Sequence, residues 1–247
     1  QSFRLALLPR AHRALRIARP RVLPVWTMGP RSDSHTAMKR IDENTFHSLE
    51  TTPDPSRLYW ETTSRNRLYD TPIFNINSVH RRSRDGREAD FVELDSPQWV
   101  NVVPYFIGND GVPRFVMERQ FRHGSDSITL EFPAGLVERG ESPRDAGLRE
   151  LFEETGLVSH NFKLIGTVCP NSAFMNNTAN FFLAQDLELV AAEDERRLDA
   201  NESIDLVSIP VSQVLEGLGT GEMDNGIMLM AGFFFMREAK KSGLLWV

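Results

Sequence analysis

The stretch Gly135 to Leu157, GLVERGESPRDAGLRELFEETGL, decides how the whole chain reads. Gly135 is followed after five residues by Glu141, and after seven more by Arg149, Glu150, aliphatic Leu151, Glu153, Glu154, Gly156 and Leu157. Ser142 and Pro143 supply an N-cap and a first helical residue that needs no N–H, and Asp145 answers the serine as a capping-box acid. Gly156 is the residue past the end that tolerates left-handed backbone. The spacing therefore predicts a helix over Pro143 to Thr155. Leu148, Leu151, Phe152 and Thr155 recur as its apolar face. Glu150, Glu153 and Glu154 fall within an arc of about 100° nearly opposite, so the expectation is three carboxylates on one outward face.

Like charges one turn apart, as at Glu150 and Glu154, destabilise a bare helix, so something must compensate them. Hard divalent cations fit, because Mg²⁺ and Mn²⁺ prefer carboxylate and carbonyl oxygens and Mg²⁺ keeps waters that a substrate phosphate can replace. Arg149 can offset part of the charge and hold Glu141 through a paired hydrogen bond. A solvated charged face is the usual meaning of such a run, but the complete frame reverses that preference.

The segment resembles the catalytic box of the Nudix hydrolase superfamily. Met117-Glu118-Arg119-Gln120-Phe121-Arg122 followed by Leu130-Glu131-Phe132-Pro133-Ala134-Gly135 is similar to the run found in its ADP-ribose pyrophosphatase-like branch. The resemblance implies an α+β fold, an α/β/α sandwich with a mixed sheet, preceded by a small antiparallel N-terminal β subdomain. It implies metal at Ala134 (through its carbonyl), Glu150 and Glu154, with Glu153 in support and Arg149 in the catalytic frame. Glu202, in Asn201-Glu202-Ser203-Ile204-Asp205, would be a further ligand or the water-activating base, with Glu153 the other candidate for base.

The activity so implied is metal-dependent hydrolysis of the diphosphate in a nucleoside diphosphate joined to a second moiety, foremost ADP-ribose to AMP and ribose 5-phosphate, with Mg²⁺ or Mn²⁺ as cofactor. Other nucleotide sugars or dinucleotides, and a non-catalytic nucleotide sensor, are the alternatives. Arg122 and Glu131 are candidate substrate contacts, weighed against a plain strand-surface ion pair. Trp60 is a candidate grip on the base, weighed against packing. In the resembling branch N-terminal strands exchange between subunits, so a homodimer is expected. Asn171, Asn176 and Asn177 could present amides to a sugar or base, or simply build a turn.

Composition is ordinarily globular at 40% apolar and 25% charged residues. A net charge of −6 speaks against broad nucleic-acid binding. The single cysteine, Cys169, suits a reducing compartment, so a cytoplasmic protein is expected, with the cysteine itself read as a buried strand residue. Ile227 to Met236 is apolar but well short of the roughly twenty residues that span a bilayer, so it reads as a packed helix and no membrane partner is expected.

Seven arginines and no acid or lysine precede Asp33. That composition matches an organellar transit peptide, whereas Pro9, Pro20, Pro24 and Pro30 favour an upstream extension with Met28 or Met38 as the functional start. Residues 1–38 are accordingly expected as a disordered extension, 59–98 as the β subdomain and 99–247 as the Nudix domain. Extended runs at Pro72 to Arg81 and Glu88 to Asp95 flank Asp85-Gly86, and runs at Trp99 to Ile107 and Val112 to Phe121 flank Asp110-Gly111, which predicts two hairpins. Ile128 to Pro133, Phe162 to Cys169, Thr178 to Val190 and Ser203 to Pro210 read as later strands. Val211 to Leu218 and Asp224 to Lys241 read as helices.

Overall fold

The backbone groups of the extended runs are satisfied in two sheets, seen in a computed structural model that describes residues 55–190, 198 and 203–244. Glu202, Met28, Met38 and the arginine-rich start lie outside the described residues. The first sheet is antiparallel and contains β1 (Trp60–Asp70), β2 (Asn75–Ser83) and β3 (Glu88–Asp95) in that order. Gly86 turns the β2–β3 hairpin at φ 86°, a backbone region open to glycine without steric cost. The first strand is absent from the sequence reading above, because WETTSRNRLYD does not alternate and ten of its eleven residues are exposed. It is held by a ladder from Trp60↔Ser83 to Asp70↔Asn75 and by cross-sheet pairs such as Arg65 with Glu93 at 2.9 Å.

The second sheet holds β4 (Trp99–Ile107), β5 (Pro113–Arg122), β6 (Ser127–Glu131), β7 (Ala134–Leu136), β8 (Leu157–Val168), β9 (Ala179–Leu189) and β10 (Asp205–Pro210). Its spine runs β10-β5-β4-β9-β8, with β6 paired to β5 and β7 to β4. The β4–β9 pair is parallel and the others are antiparallel, so the sheet is mixed, as expected. Helix α1 (Pro143–Thr155) packs on one face, while α2 (Val211–Gly217) and α3 (Gly226–Ser242) serve the other.

Alternation along β4 divides the core. Val100 and Val102 face α1, packing with Ala146 and Leu151, whereas Val103 and Tyr105 join the larger cluster under α3 around Phe115, Phe132 and Phe235. The rings of Phe132 and Phe235 meet Phe115 edge to face at 5.1 and 4.7 Å. Among the described residues no helix is long and apolar enough to cross a membrane.

Helix α1 occupies the span its sequence predicts. Ser142 Oγ accepts from Asp145 N at 3.1 Å, and Gly156 sits at φ 72° with its N–H donating to Phe152 O. Its buried face requires a correction: Ala146, Gly147, Leu151, Glu154 and Thr155 are buried, while Leu148 and Phe152 are only half-buried. The cause lies beneath the helix, where Phe162 and Phe182 stack at 4.8 Å and demand small residues above them. A Cβ at Gly147 would come within 2.9 Å of the Phe162 ring. The expected outward carboxylate face is also corrected. Glu154 is 4% exposed, because that side of the helix turns toward β4 and β7 rather than toward bulk solvent. Cys169 lies one residue beyond β8 and is half-buried, so it is not the buried strand residue expected.

The segment after β8 ties the two sheets together. Leu94 N donates to Phe174 O at 2.7 Å, and Asn176 bonds Asp95 and the Ser96 amide through its side chain. Asn177 reaches Pro97 O, and Asn171 caps its own turn at Ala173. These contacts give all three asparagines the structural member of the two roles considered for them. Replacing Ser142 by alanine is expected to cost about 1 kcal/mol through loss of the α1 cap, read as a lower urea midpoint with unchanged slope.

Candidate active site

Arg149 organises the acids. From the first turns of α1 its guanidinium reaches Glu141 with two parallel bonds, Nε to Oε1 at 3.0 Å and Nη2 to Oε2 at 3.1 Å. Nη2 also donates to Leu136 O, and Nη1 donates to Glu150 Oε1 at 2.8 Å and Glu153 Oε2 at 3.1 Å. The hydrogen bond to Glu141, opposed by burial and reinforced by the charges of Glu150 and its neighbours, raises the arginine pKa above its ordinary value. The same bond holds the Glu141 carboxyl below the usual range, with the Glu138 amide adding to it.

Two backbone features set Glu150 and Glu154. A Cβ on Gly135 would overlap the Glu150 carboxylate, so glycine there is the space the acid occupies. Glu154 Oε2 accepts the Ala134 amide at 3.0 Å, which anchors β7 to α1, and Ala134 lines the same cavity. Glu150, Glu153, Glu154 and Ala134 thus line one cavity of about 890 Å³. Among the described residues no three acid, histidine or cysteine side chains form a ready-made group for an ion, and Arg149 engages two of these acids. The donors still fit a hard divalent cation, being all oxygen and gathered on one wall, with a substrate's own oxygens able to complete the sphere.

The opposing wall comes from β5 and β6. Arg122 grips Glu131 through Nε at 3.1 Å and Nη2 at 2.7 Å, and both residues line the cavity. Although burial is the largest single influence and lowers it, the arginine pKa is raised by its bond to Glu131 and by the charges of Glu131, Glu154 and Glu118. Glu118 is fully buried on the same side of β5 and stands opposite Glu131 in the register. Glu118 stands in the Met117 to Arg122 run that carries the family resemblance, but three apolar residues before it and two polar residues after it give no sign of its burial.

The remaining walls were not foreseen. Ile73 and Phe74, from the turn before β2, contribute an apolar lip, Trp99 and Asn101 contribute from β4, and Asp224, Asn225 and Ile227 contribute from the start of α3. Only spatial folding brings these three stretches together. Trp60 is not brought there: its ring meets Phe91 at 5.6 Å, with the Arg87 guanidinium 5.3 Å from its centroid. Within one chain it packs on the first sheet. Glu202 lies outside the described residues.

A NUDIX domain model matches residues 98–226, and the chain belongs to the Nudix family. Among curated proteins it is 31% identical over 103 residues to an ADP-ribose pyrophosphatase of Bacillus subtilis strain 168, covering 42% of this chain and 55% of that protein. It is likewise 31% identical over 145 residues to an ADP-sugar pyrophosphatase of Mus musculus, covering 59% and 57% of the two chains. The chain therefore aligns with little more than half the length of either relative. A crystal structure described as an ADP compounds hydrolase superposes with a TM-score of 0.64 at 21% identity, over 75% of this chain and 97% of that one, which shows the shared fold.

Gly135→Ala is expected to fold but lose at least tenfold in activity, since the obstructed atom is the movable end of Glu150. A thermal melt beside a turnover assay checks both halves. Arg149→Met is expected to cost roughly 2 kcal/mol near neutral pH, from lost charged hydrogen bonds. Because the folded Glu141 pKa is depressed, that contribution is complete above the ordinary glutamate value of about 4.3 and disappears as pH falls through the folded value. Urea midpoints of the two proteins should therefore converge in acid.

Proposed function

We propose that the protein hydrolyses the diphosphate of a nucleoside diphosphate joined to a second moiety, with ADP-ribose, giving AMP and ribose 5-phosphate, as the leading substrate. The observation that carries this reading is that the α1 acids and the Arg122–Glu131 pair line a single cavity of about 890 Å³, roomy enough for such a molecule. The names of the aligned relatives support it, as does the complete residue frame at Gly135 to Leu157.

Glu150, Glu154 and the Ala134 carbonyl would hold Mg²⁺ or Mn²⁺, with Glu153 in support and Glu202 as a further ligand. Such ions supply charge neutralisation at the diphosphate and an acidified water. Arg149 keeps Glu141, Glu150 and Glu153 in place. Arg122 points its charge at a phosphate once Glu131 shares it, and Glu131 accepts from a hydroxyl or amino group. Water attacks one phosphorus while the bridging oxygen leaves with the other phosphate, and the proton passes to Glu202 or Glu153.

The β subdomain of residues 59–98 would serve a homodimer, since β1 presents a long exposed face and Trp60 could reach a partner's site there. Residues 99–247 would form the catalytic domain and residues 1–38 a separate extension. The single cysteine supports a cytoplasmic setting.

A panel of ADP-ribose, other nucleotide sugars, dinucleotides, coenzyme A and nucleoside triphosphates, assayed with Mg²⁺ and with Mn²⁺, tests the reading. ADP-ribose should yield AMP and ribose 5-phosphate without free inorganic phosphate, and preferential triphosphate cleavage would reject the assignment. At least one of Glu202→Gln and Glu153→Gln should lower turnover a hundredfold or more, in the upper part of the range for general bases. Near-normal rates in both would remove each as the base.

A further inference from the structure

The side chain of Asn101 is unexplained by the reading above. It is 3% exposed, lines the cavity, and its Oδ1 is buried without a hydrogen-bond partner among the described residues. A buried carboxamide oxygen left unpaired costs stability, so its presence asks for a ligand that completes it. A turn about its last torsion exchanges oxygen and nitrogen, which lets the group offer either an acceptor or a donor.

Its place in the fold limits what that ligand can be. Along β4 the side chains of 99, 101 and 103 share the face that meets α3, as the packing of Trp99 and Val103 shows. Ile227, at the start of the 17-residue α3, lines the cavity with Asn101. Asn225 caps the amide of Met228, so the amides of Gly226 and Ile227 are first-turn donors with no intrahelical acceptor. Asp224 adds an exposed carboxylate at the same rim. Donors and acceptors side by side match a hydroxyl, which both gives and takes a hydrogen bond. An anion would be repelled by Asp224.

Distance from the diphosphate site points the same way. Asn101 is the direct register partner of Ala134, one strand spacing of about 5 Å away. A ligand group that reaches Asn101 then lies close to the diphosphate, where a molecule such as ADP-ribose carries a sugar rather than its base. The apolar lip of Ile73 and Phe74 suits the flat base at the nucleoside end, leaving the polar α3 rim for the other sugar.

We propose that Asn101, with the first-turn amides of α3, forms the subsite that reads the hydroxyls of the sugar beyond the diphosphate. This deepens the proposed function and rests on it. Binding of ADP-ribose and of the methyl ester of ADP, which lacks the second sugar, is measured by calorimetry with chelator present, so that the readout is independent of turnover.

The wild-type protein should bind ADP-ribose at least tenfold more tightly than the ester. Asn101→Ala should bring the two within threefold while leaving the melting temperature equal or higher, since an unpaired buried oxygen is removed. Asn101→Ser, which keeps a hydroxyl, should retain part of the difference. A purely structural asparagine would instead lower the melting temperature and leave the ligand difference intact, which overturns the subsite. Equal weakening of both ligands places the carboxamide at the nucleoside half and overturns it too, as does a wild-type protein that does not distinguish them. Discrimination without hydrolysis of any diphosphate substrate would reject the proposed function and leave the subsite standing.

Discussion

One guanidinium carries the electrostatic balance of the site. Arg149 meets Glu141, Glu150, Glu153 and the Leu136 carbonyl at once, so a helix face that would otherwise be held apart by repulsion is fixed against β7. The pairing is bidentate only toward Glu141, which sits outside α1 and acts as the arginine's own anchor. Lysine could not replace that geometry, because a point charge lacks the planar fork. The remaining acids are then oriented by the clamp and by backbone: Gly135 leaves room for Glu150, and the Ala134 amide binds Glu154.

The extent of α1 was legible because its ends carry their own chemistry in Ser142, Pro143 and Gly156. Its buried side was not. A helical wheel assumes that charge faces water, whereas here Glu154 is turned into the protein and small residues at Ala146 and Gly147 meet the stacked Phe162 and Phe182 rings. Both hairpins were marked by Asp-Gly turns between extended runs. The strand β1 left no mark, since both its faces are wet and its pairing is supplied by β2. A strand as short as β7 carries no period at all.

The cavity shows the same division between local and long-range information. The acids of α1 and the Arg122–Glu131 pair stand in contiguous runs that a single sequence displays. Asn101, Phe74 and Asp224 come from stretches far apart in the chain, and only the sheet order β5-β4-β9 together with the docking of the segment at Phe174 to Asn177 brings them to one rim. Trp60 illustrates the opposite case, an aromatic that its own fold packs against Phe91 and Arg87 and leaves outside the cavity lining. Glu202 falls outside the described residues, and the choice of base rests on the variants above.

The central claim is that the Arg149-ordered acids of α1 gather hard cations where a diphosphate is cut. Crystals soaked in Mn²⁺ with a slowly cleaved substrate analogue, measured at the manganese absorption edge, test it most directly. Anomalous density within coordination distance of both Glu150 and Glu154 is the expected result. Turnover in the presence of Mn²⁺ by a protein whose Glu150 and Glu154 show no such density would contradict it.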